Sequence, residues 1–275
     1  MTAGPRNSTI VRSARRAADL WFTVPPPIDL DRLPALPPGD DAGIELDGRP
    51  LYAVTWGGGA PVYLVHGWGG RAEQLGAFVA PLVAAGHRVV AFDAPAHGRS
   101  GPGRFGARRS AIPELSAALG AAVARHGEPH AVVAHSLGGA AAAFAVREGV
   151  RPSRMALIAS PSDARPALSA FADHLGLDAR ERAELNREVE RRTRFALAAF
   201  DVVAMADAMP PTLVVHDRND REVGFDQGQA IAEAWPRAQL LATEGLGHRR
   251  LLRDPAVIGA VTAFVTGDAG ARRSA

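Results

Sequence analysis

The stretch Ala131-Val132-Val133-Ala134-His135-Ser136-Leu137-Gly138-Gly139-Ala140 decides the fold. Ala131–Ala134 is a short apolar run and reads as a strand buried on both faces. The alanine-rich text from Leu137 to Glu148 reads as a helix. Between them there is room only for a tight turn with Ser136 at its apex. Such a turn strains the backbone at the serine and crowds the positions two residues either side, which produces the pattern small-x-Ser-x-Gly. Here the first small residue is Ala134 in place of glycine. Two uses of this turn are open on the residues alone: an exposed nucleophilic Oγ, or a serine that only caps the helix.

Further apolar runs flank this one: Val62–Val65, Arg88–Phe92, Met155–Ala159, Leu213–Val215 and Gln239–Ala242. Helical stretches separate most of them: Ala72–Ala85, Ser110–His126, Leu137–Glu148 and Phe225–Ala234, with a last helix over Pro255–Val265. Short buried strands alternating with helices predict an α/β fold, a mostly parallel sheet covered on both faces. Ile44-Glu45-Leu46, a turn at Asp47-Gly48, and Leu51 to Trp56 predict a leading hairpin that makes the sheet mixed. No strand signal appears between Ser160 and Pro210. The text there is helical, and an insertion at the carboxyl end of a strand would sit over the ligand crevice. The expected division is an N-terminal helix and proline-rich arm over 1–43, a core over 44–161, a small helical cap over 162–208, and the rest of the core over 209–275.

The 275 residues are 47% hydrophobic and 22% charged, the composition of a globular chain. Cysteine is absent, which excludes disulfides, cysteine-ligated metal and thiol catalysis. The 31 cationic side chains, all arginine, face 29 acids for a net charge of +2. The isoelectric point of about 9.8 therefore reflects the lack of groups titrating above neutral pH, and no basic surplus is present for nucleic acid. No run reaches the length of a membrane span, and no secretory signal is visible near the start. A cytoplasmic location is expected.

Near the start, Thr9 to Phe22 reads as a helix with Ile10, Ala14, Ala17 and Trp21 near one face and Arg12, Arg15 and Arg16 on others. It precedes Pro25-Pro26-Pro27, Pro34, Pro37 and Pro38. A helix docked on the domain by an extended arm is expected. A membrane-surface helix is the alternative, with a weak apolar face. Within the insertion, Asp178–Arg194 holds six arginines against five acids. Glu188 with Arg192 and Glu190 with Arg194 have the spacing of stabilising helical pairs. A solvated cap helix explains this text, and an arginine site for an anionic substrate or carrier protein is the rival.

Four further segments sit at strand ends: His66-Gly67-Trp68, Asp93-Ala94-Pro95-Ala96-His97-Gly98-Arg99-Ser100, His216-Asp217-Arg218-Asn219-Asp220 and Gly245-Leu246-Gly247-His248. With the Ser136 turn, the set resembles the α/β-hydrolase fold superfamily, esterase- and lipase-like with a small helical cap. The resemblance runs from about Ile44 to Val265 in the order Ser…Asp…His. It implies that Ser136 is the nucleophile, His248 the base, and Asp220 the acid. Asp217, where the family usually has a glycine, and Asp163 after the preceding strand are the rival acids. It also implies an oxyanion hole from the backbone N–H groups of Leu137 and Trp68. Of the nine histidines only His248 lies on a glycine-rich loop after the final strand; His135 adjoins the nucleophile and must point away from it. His66, His97 and His216 are expected to make structural hydrogen bonds.

A serine hydrolase cleaving a carboxylic ester or thioester through an acyl-enzyme, without cofactor or metal, is the expected function. Carbon–carbon bond hydrolysis and acyl transfer use the same groups. A serine at this turn argues against epoxide hydrolases and haloalkane dehalogenases, which the resemblance gives a carboxylate there. Two other classes stay open. Gly67-x-Gly69-x-x-Ala72, with Asp93 at the end of the next strand, fits the dinucleotide fingerprint of an NAD(P)-dependent oxidoreductase. A non-catalytic relative that only binds a small molecule is the third.

Overall fold

The structure is a computed structural model that describes residues 5–26 and 35–267. Pro27 and Pro34 of the proline-rich arm, and the side chains of Ile10 and Arg12, lie outside the described residues. The chain opens with helix α1 (Pro5–Trp21) and a short strand β1 (Asp40–Asp41). A two-residue turn follows, joining β2 (Glu45–Leu46) to β3 (Arg49–Pro50). Asp47 at φ 51° and Gly48 at φ 70° give this turn the left-handed pair that a tight hairpin requires. The expected hairpin is therefore smaller than its sequence suggests. Its second half, β4 (Ala53–Trp56), leaves the partner strand and joins the main sheet, antiparallel to β1 and to β6 (Arg88–Phe92). Burial of Ala53 and Trp56 against that sheet explains the switch.

Between β4 and β6 lie β5 (Pro61–Val65), a 3-10 turn over Ala72–Phe78, and α2 (Val79–Ala84). The single helix expected over Ala72–Ala85 is thus split: its first part is wound tighter. The rest alternates: α3 (Ile112–His126), β7 (Ala131–His135), α4 (Leu137–Arg147), β8 (Arg154–Ile158), α5 (Arg165–His174), α6 (Ala179–Thr193), β9 (Thr212–Asp217), α7 (Phe225–Ala234), β10 (Ala238–Thr243), α8 (Gly247–Arg250) and α9 (Pro255–Thr266). The eight-stranded sheet runs β1-β4-β6-β5-β7-β8-β9-β10 and is parallel from β6 onward. Alternate residues of each central strand feed opposite cores. Tyr63 and Val65 pack with α3 and α4, whereas Val62 and Leu64 pack with α2 and α9. The chain reverses direction across the sheet between β5 and β7, so a crevice opens at their carboxyl ends.

A third apolar cluster lies above that crevice. Ala17, Ala18 and Phe22 of the N-terminal segment are buried against Leu168 and Ala172 of α5 and Leu185 and Val189 of α6. Arg15 and Arg16 face solvent. Helix α1 is thus docked on the protein through the described residues Ala17 and Ala18, with Phe22 just beyond its end. Among the described residues no helix is long and apolar enough to cross a membrane. The far end of the insertion behaves differently, since Phe200, Val202 and Met205 are buried in the main core. On α6 the Glu188–Arg192 pair forms at 2.7 Å, and Glu188 also holds Arg191 at 2.6 Å. The Glu190–Arg194 pair suggested by spacing does not. Arg194 turns left-handed at φ 67° and ends the helix, and the Glu190 carboxylate accepts the Leu197 N–H instead. Arg182 and Arg187 are paired with Asp173 and Glu184, so acids neutralise much of the arginine-rich face.

Candidate active site

Ser136 joins β7 to α4 with φ 53° and ψ −131°, a conformation that costs a non-glycine residue of order 1–3 kcal/mol. The surroundings hold it there. Its N–H donates to the Ile158 carbonyl at 2.9 Å, and its carbonyl accepts the Gly139 N–H at 2.8 Å. The neighbours must be small for a visible reason. A methyl group on Gly138 would lie 2.3 Å from the His66 carbonyl oxygen and 2.7 Å from that of Val65. One on Gly139 would strike the Ser160 hydroxyl, and one on Gly67 would sit 2.8 Å from Ser136 Cβ. Ala134, paired in register with Val65, fits with its methyl fully buried.

His248 lies on α8, just after β10, and is buried. Its Nδ1 donates to Asp220 Oδ2 at 2.8 Å, because an ionised carboxylate can only accept. The other Asp220 oxygen accepts the N–H groups of Glu222 at 2.8 Å and Val223 at 3.0 Å. Burial pushes the Asp220 carboxyl up, but the bonds from His248, Val223 and Glu222 outweigh it and hold it below the usual range. With Nδ1 protonated, Nε2 of His248 carries the lone pair. His248 and Ser136 line one cavity of about 620 Å³.

The rival acids are engaged elsewhere. Asp163 binds Arg165 Nε at 2.6 Å and its N–H at 2.9 Å. Asp217 accepts the Thr243 hydroxyl at 2.7 Å, the Leu246 N–H at 2.9 Å and the Asn219 N–H at 3.0 Å. Burial opposes the charge of Asp217, yet these donors and the Gly247 N–H draw it down to about 2. It thereby ties the loop carrying His248 to the loop carrying Asp220, a positioning role that sequence reading missed.

His135 was also underestimated. Its ring lies 4.7 Å from that of His248, and its Nε2 donates to the His248 carbonyl at 3.0 Å. Burial, with His248 adjacent, lowers it to about 3, so it is neutral and braces His248 from below. His66 donates from Nδ1 to the Gly67 carbonyl at 2.7 Å and accepts the Ala94 N–H on Nε2 at 2.9 Å. His97 and His216 donate to the carbonyls of Pro95 and Val223. These are the structural bonds expected of them.

The Leu137 N–H is the first of α4 and has no partner within the helix. The Trp68 N–H lies in the turn Gly67–Gly70, whose own bond uses the Gly70 N–H and the Gly67 carbonyl. Both residues line the cavity with Ser136. The dinucleotide fingerprint loses its acid here. Asp93 is fully buried and accepts the N–H groups of Ala72 and Arg99, each at 2.7 Å, so it is turned into the protein and away from any ribose. Pro25 also closes over Gly69, where a methyl would meet its Cγ at 2.5 Å. Among the described residues no group of three or more histidine or acidic side chains is placed to hold a metal ion.

A mixed, mostly parallel sheet with a serine on a strained strand–helix turn, a histidine after the last strand and an acid after the one before defines a class. The chain belongs to the Alpha/beta hydrolase family, whose pattern matches residues 62–261. It is 31% identical over 224 residues to the dihydrolipoyllysine-residue acetyltransferase component of the acetoin cleaving system of Pseudomonas putida. That match covers 80% of this chain and 55% of the relative. The chain spans about half or less of the length of the curated relatives it matches. Its fold is shared with the monoacylglycerol lipase of Paleococcus ferrophilus at a TM-score of 0.61 and 21% identity, over 79% of this chain and 99% of that one. An esterase of Exiguobacterium antarcticum gives 0.60 at 15% identity, over 80% and 97%.

Proposed function

We propose that the protein hydrolyses a carboxylic ester or thioester through an acyl-enzyme on Ser136. The observation that carries this reading is the 2.8 Å bond from His248 Nδ1 to the buried Asp220, with His248 lining the same cavity as the strained Ser136. That bond fixes the tautomer in which Nε2 can take a proton. Ser136 Oγ attacks the acyl carbonyl as its proton passes to Nε2 of His248. The oxyanion forms against the N–H groups of Leu137 and Trp68, with the amino terminus of α4 adding its dipole. Nε2–H then protonates the leaving alkoxide or thiolate, and the carbon–oxygen or carbon–sulfur bond breaks. A water, deprotonated by the same nitrogen, attacks the ester on Ser136; the bond from the acyl carbon to Oγ breaks, Oγ takes the proton back from Nε2, and the acid leaves. Asp220 stays ionised throughout and stabilises the imidazolium. The insertion from 162 to 208 serves as the cap over this site.

The test is turnover of p-nitrophenyl esters of graded chain length by the protein and by Ser136→Ala. Loss of hydrolysis in the variant, by about 10³-fold or more, is expected. A variant that hydrolyses esters as fast as the parent removes Ser136 from the reaction.

A further inference from the structure

Helix α1 lies outside the span matched by the family, yet it ends inside the cavity. Trp21 and Phe22 line it together with Ser136 and His248. Their placement is fixed from two sides. On the core side, Thr23 pairs with Arg109, the Ser110 N–H donates to the Phe22 carbonyl at 3.0 Å, and the Val24 N–H donates to that of Arg108 at 2.8 Å. On the insertion side, Asp19 holds Arg192 of α6 at 2.8 Å. The Trp21 ring packs against Phe171 of α5, with centroids 5.3 Å apart and planes tilted by 54°. Leu168 of α5 adds an aliphatic surface to the same wall.

The chemistry of the wall is one-sided. Trp21, Phe22, Leu168 and Phe171 offer rings and methyl groups. The ionised side chains that reach the cavity are matched with each other or with neighbours: Asp163 with Arg165, and Glu222 with Arg249. A charged substrate group would meet no open counter-ion among these, whereas an apolar group would lose its water on entering. A cavity of about 620 Å³ also exceeds what a two-carbon acyl group fills.

We infer that α1 forms one wall of the substrate pocket, and that Trp21, facing Phe171, is a specificity-determining residue for an uncharged ester bearing a medium-length alkyl or ring-containing group. This rests on the reading of Ser136 as the nucleophile. The pocket is then completed by a segment the family's pattern does not contain, and substrate choice is divided between α1 and α5.

The experiment uses the full chain and reads kcat/KM for p-nitrophenyl octanoate over that for the acetate. The ratio cancels general damage to the machinery. The parent protein favours the octanoate. Trp21→Ala and Phe171→Ala each lower the ratio by about tenfold or more, the scale at which apolar pockets discriminate. Trp21→Phe restores most of it, because a ring again faces Phe171. Leu240→Ala, an exposed apolar position on β10 outside the cavity, leaves the ratio unchanged. Should Trp21→Ala fail to fold, Phe171→Ala alone decides. Ratios within twofold of the parent in both alanine variants, with Ser136 still labelled by a short-chain fluorophosphonate, overturn the wall. An unlabelled Ser136 in the parent overturns the hydrolase reading, and this inference with it.

Discussion

Asp217 and Asp220 stand three residues apart and bind opposite sides of one small structure. Asp220 faces His248, while Asp217 faces the backbone and hydroxyl that carry the His248 loop. Their amide variants should therefore separate. In Asp220→Asn the Oδ1 can keep both backbone N–H bonds, but the amide NH₂ turned toward His248 forces the lone pair onto Nδ1. The ring then presents a protonated Nε2 to Ser136, and kcat should fall by about 10³–10⁴ with the melting temperature nearly kept. Asp217→Asn replaces an acceptor of two donors by an NH₂ group, which should cost about 1–3 kcal/mol of stability and about tenfold or less in kcat. Asp163→Asn should do neither. Kinetics and thermal denaturation of the three variants side by side check this. A crippled Asp217→Asn or Asp163→Asn with an active Asp220→Asn would reassign the acid. The meeting of Asp220 with His248 is legible in sequence because each follows its own strand at the same end of the sheet. The work of Asp217 is not, because its partners Thr243 and Leu246 are distant in sequence and reached only through the register of β9 with β10.

At the level of elements, the strand–turn–helix around Ser136 follows closely from its text, and the reason is packing. Gly138 is closed in by two carbonyl oxygens of the β5 end, so backbone and not a flexible side chain forbids a larger residue. Gly138→Ala should lower stability by about 2 kcal/mol or more and depress turnover, since either the turn or β5 must shift. Ala134→Gly should cost at most about 1 kcal/mol and keep most of kcat, because the turn already tolerates the alanine. Equal melting temperatures for Gly138→Ala and the parent would contradict this account. The elements misread in sequence were those decided by distant partners. Ala53–Trp56 has the text of a hairpin arm, but its partners are Asp40–Asp41 and β6. Arg194 has helical spacing from Glu190, but the chain turns left-handed there.

For the whole molecule, buried titrating groups set the response to acid. His66, His97 and His135 are held by burial at about 3, 4 and 3, whereas unfolded histidine titrates near 6.5. The unfolded chain thus binds protons that the folded chain refuses, and stability falls as pH drops below about 6.5. Asp93 acts in the opposite sense. Burial pushes it up to about 6, so the folded chain takes its proton first and regains part of the loss between about pH 6 and 4. Asp217, drawn down to about 2, adds a further loss below about pH 4. The melting temperature should be flat from pH 8 to 7 and decline from about 6.5 to 4; a rise over that interval would contradict the burial assigned to the three histidines. The reach of α1 into the crevice is the least legible feature at this scale. Alanine spacing predicts a docked helix, but only the folded chain shows that Trp21 and Phe22 border the same cavity as Ser136.

Whether Ser136 is the nucleophile is decided by mass spectrometry of the intact protein and its peptides after exposure to a short-chain fluorophosphonate. A single adduct mapped to Ser136 is expected, with none in Ser136→Ala and much slower formation in Asp220→Asn. An unmodified parent protein, or an adduct that persists in Ser136→Ala, would contradict this assignment of Ser136.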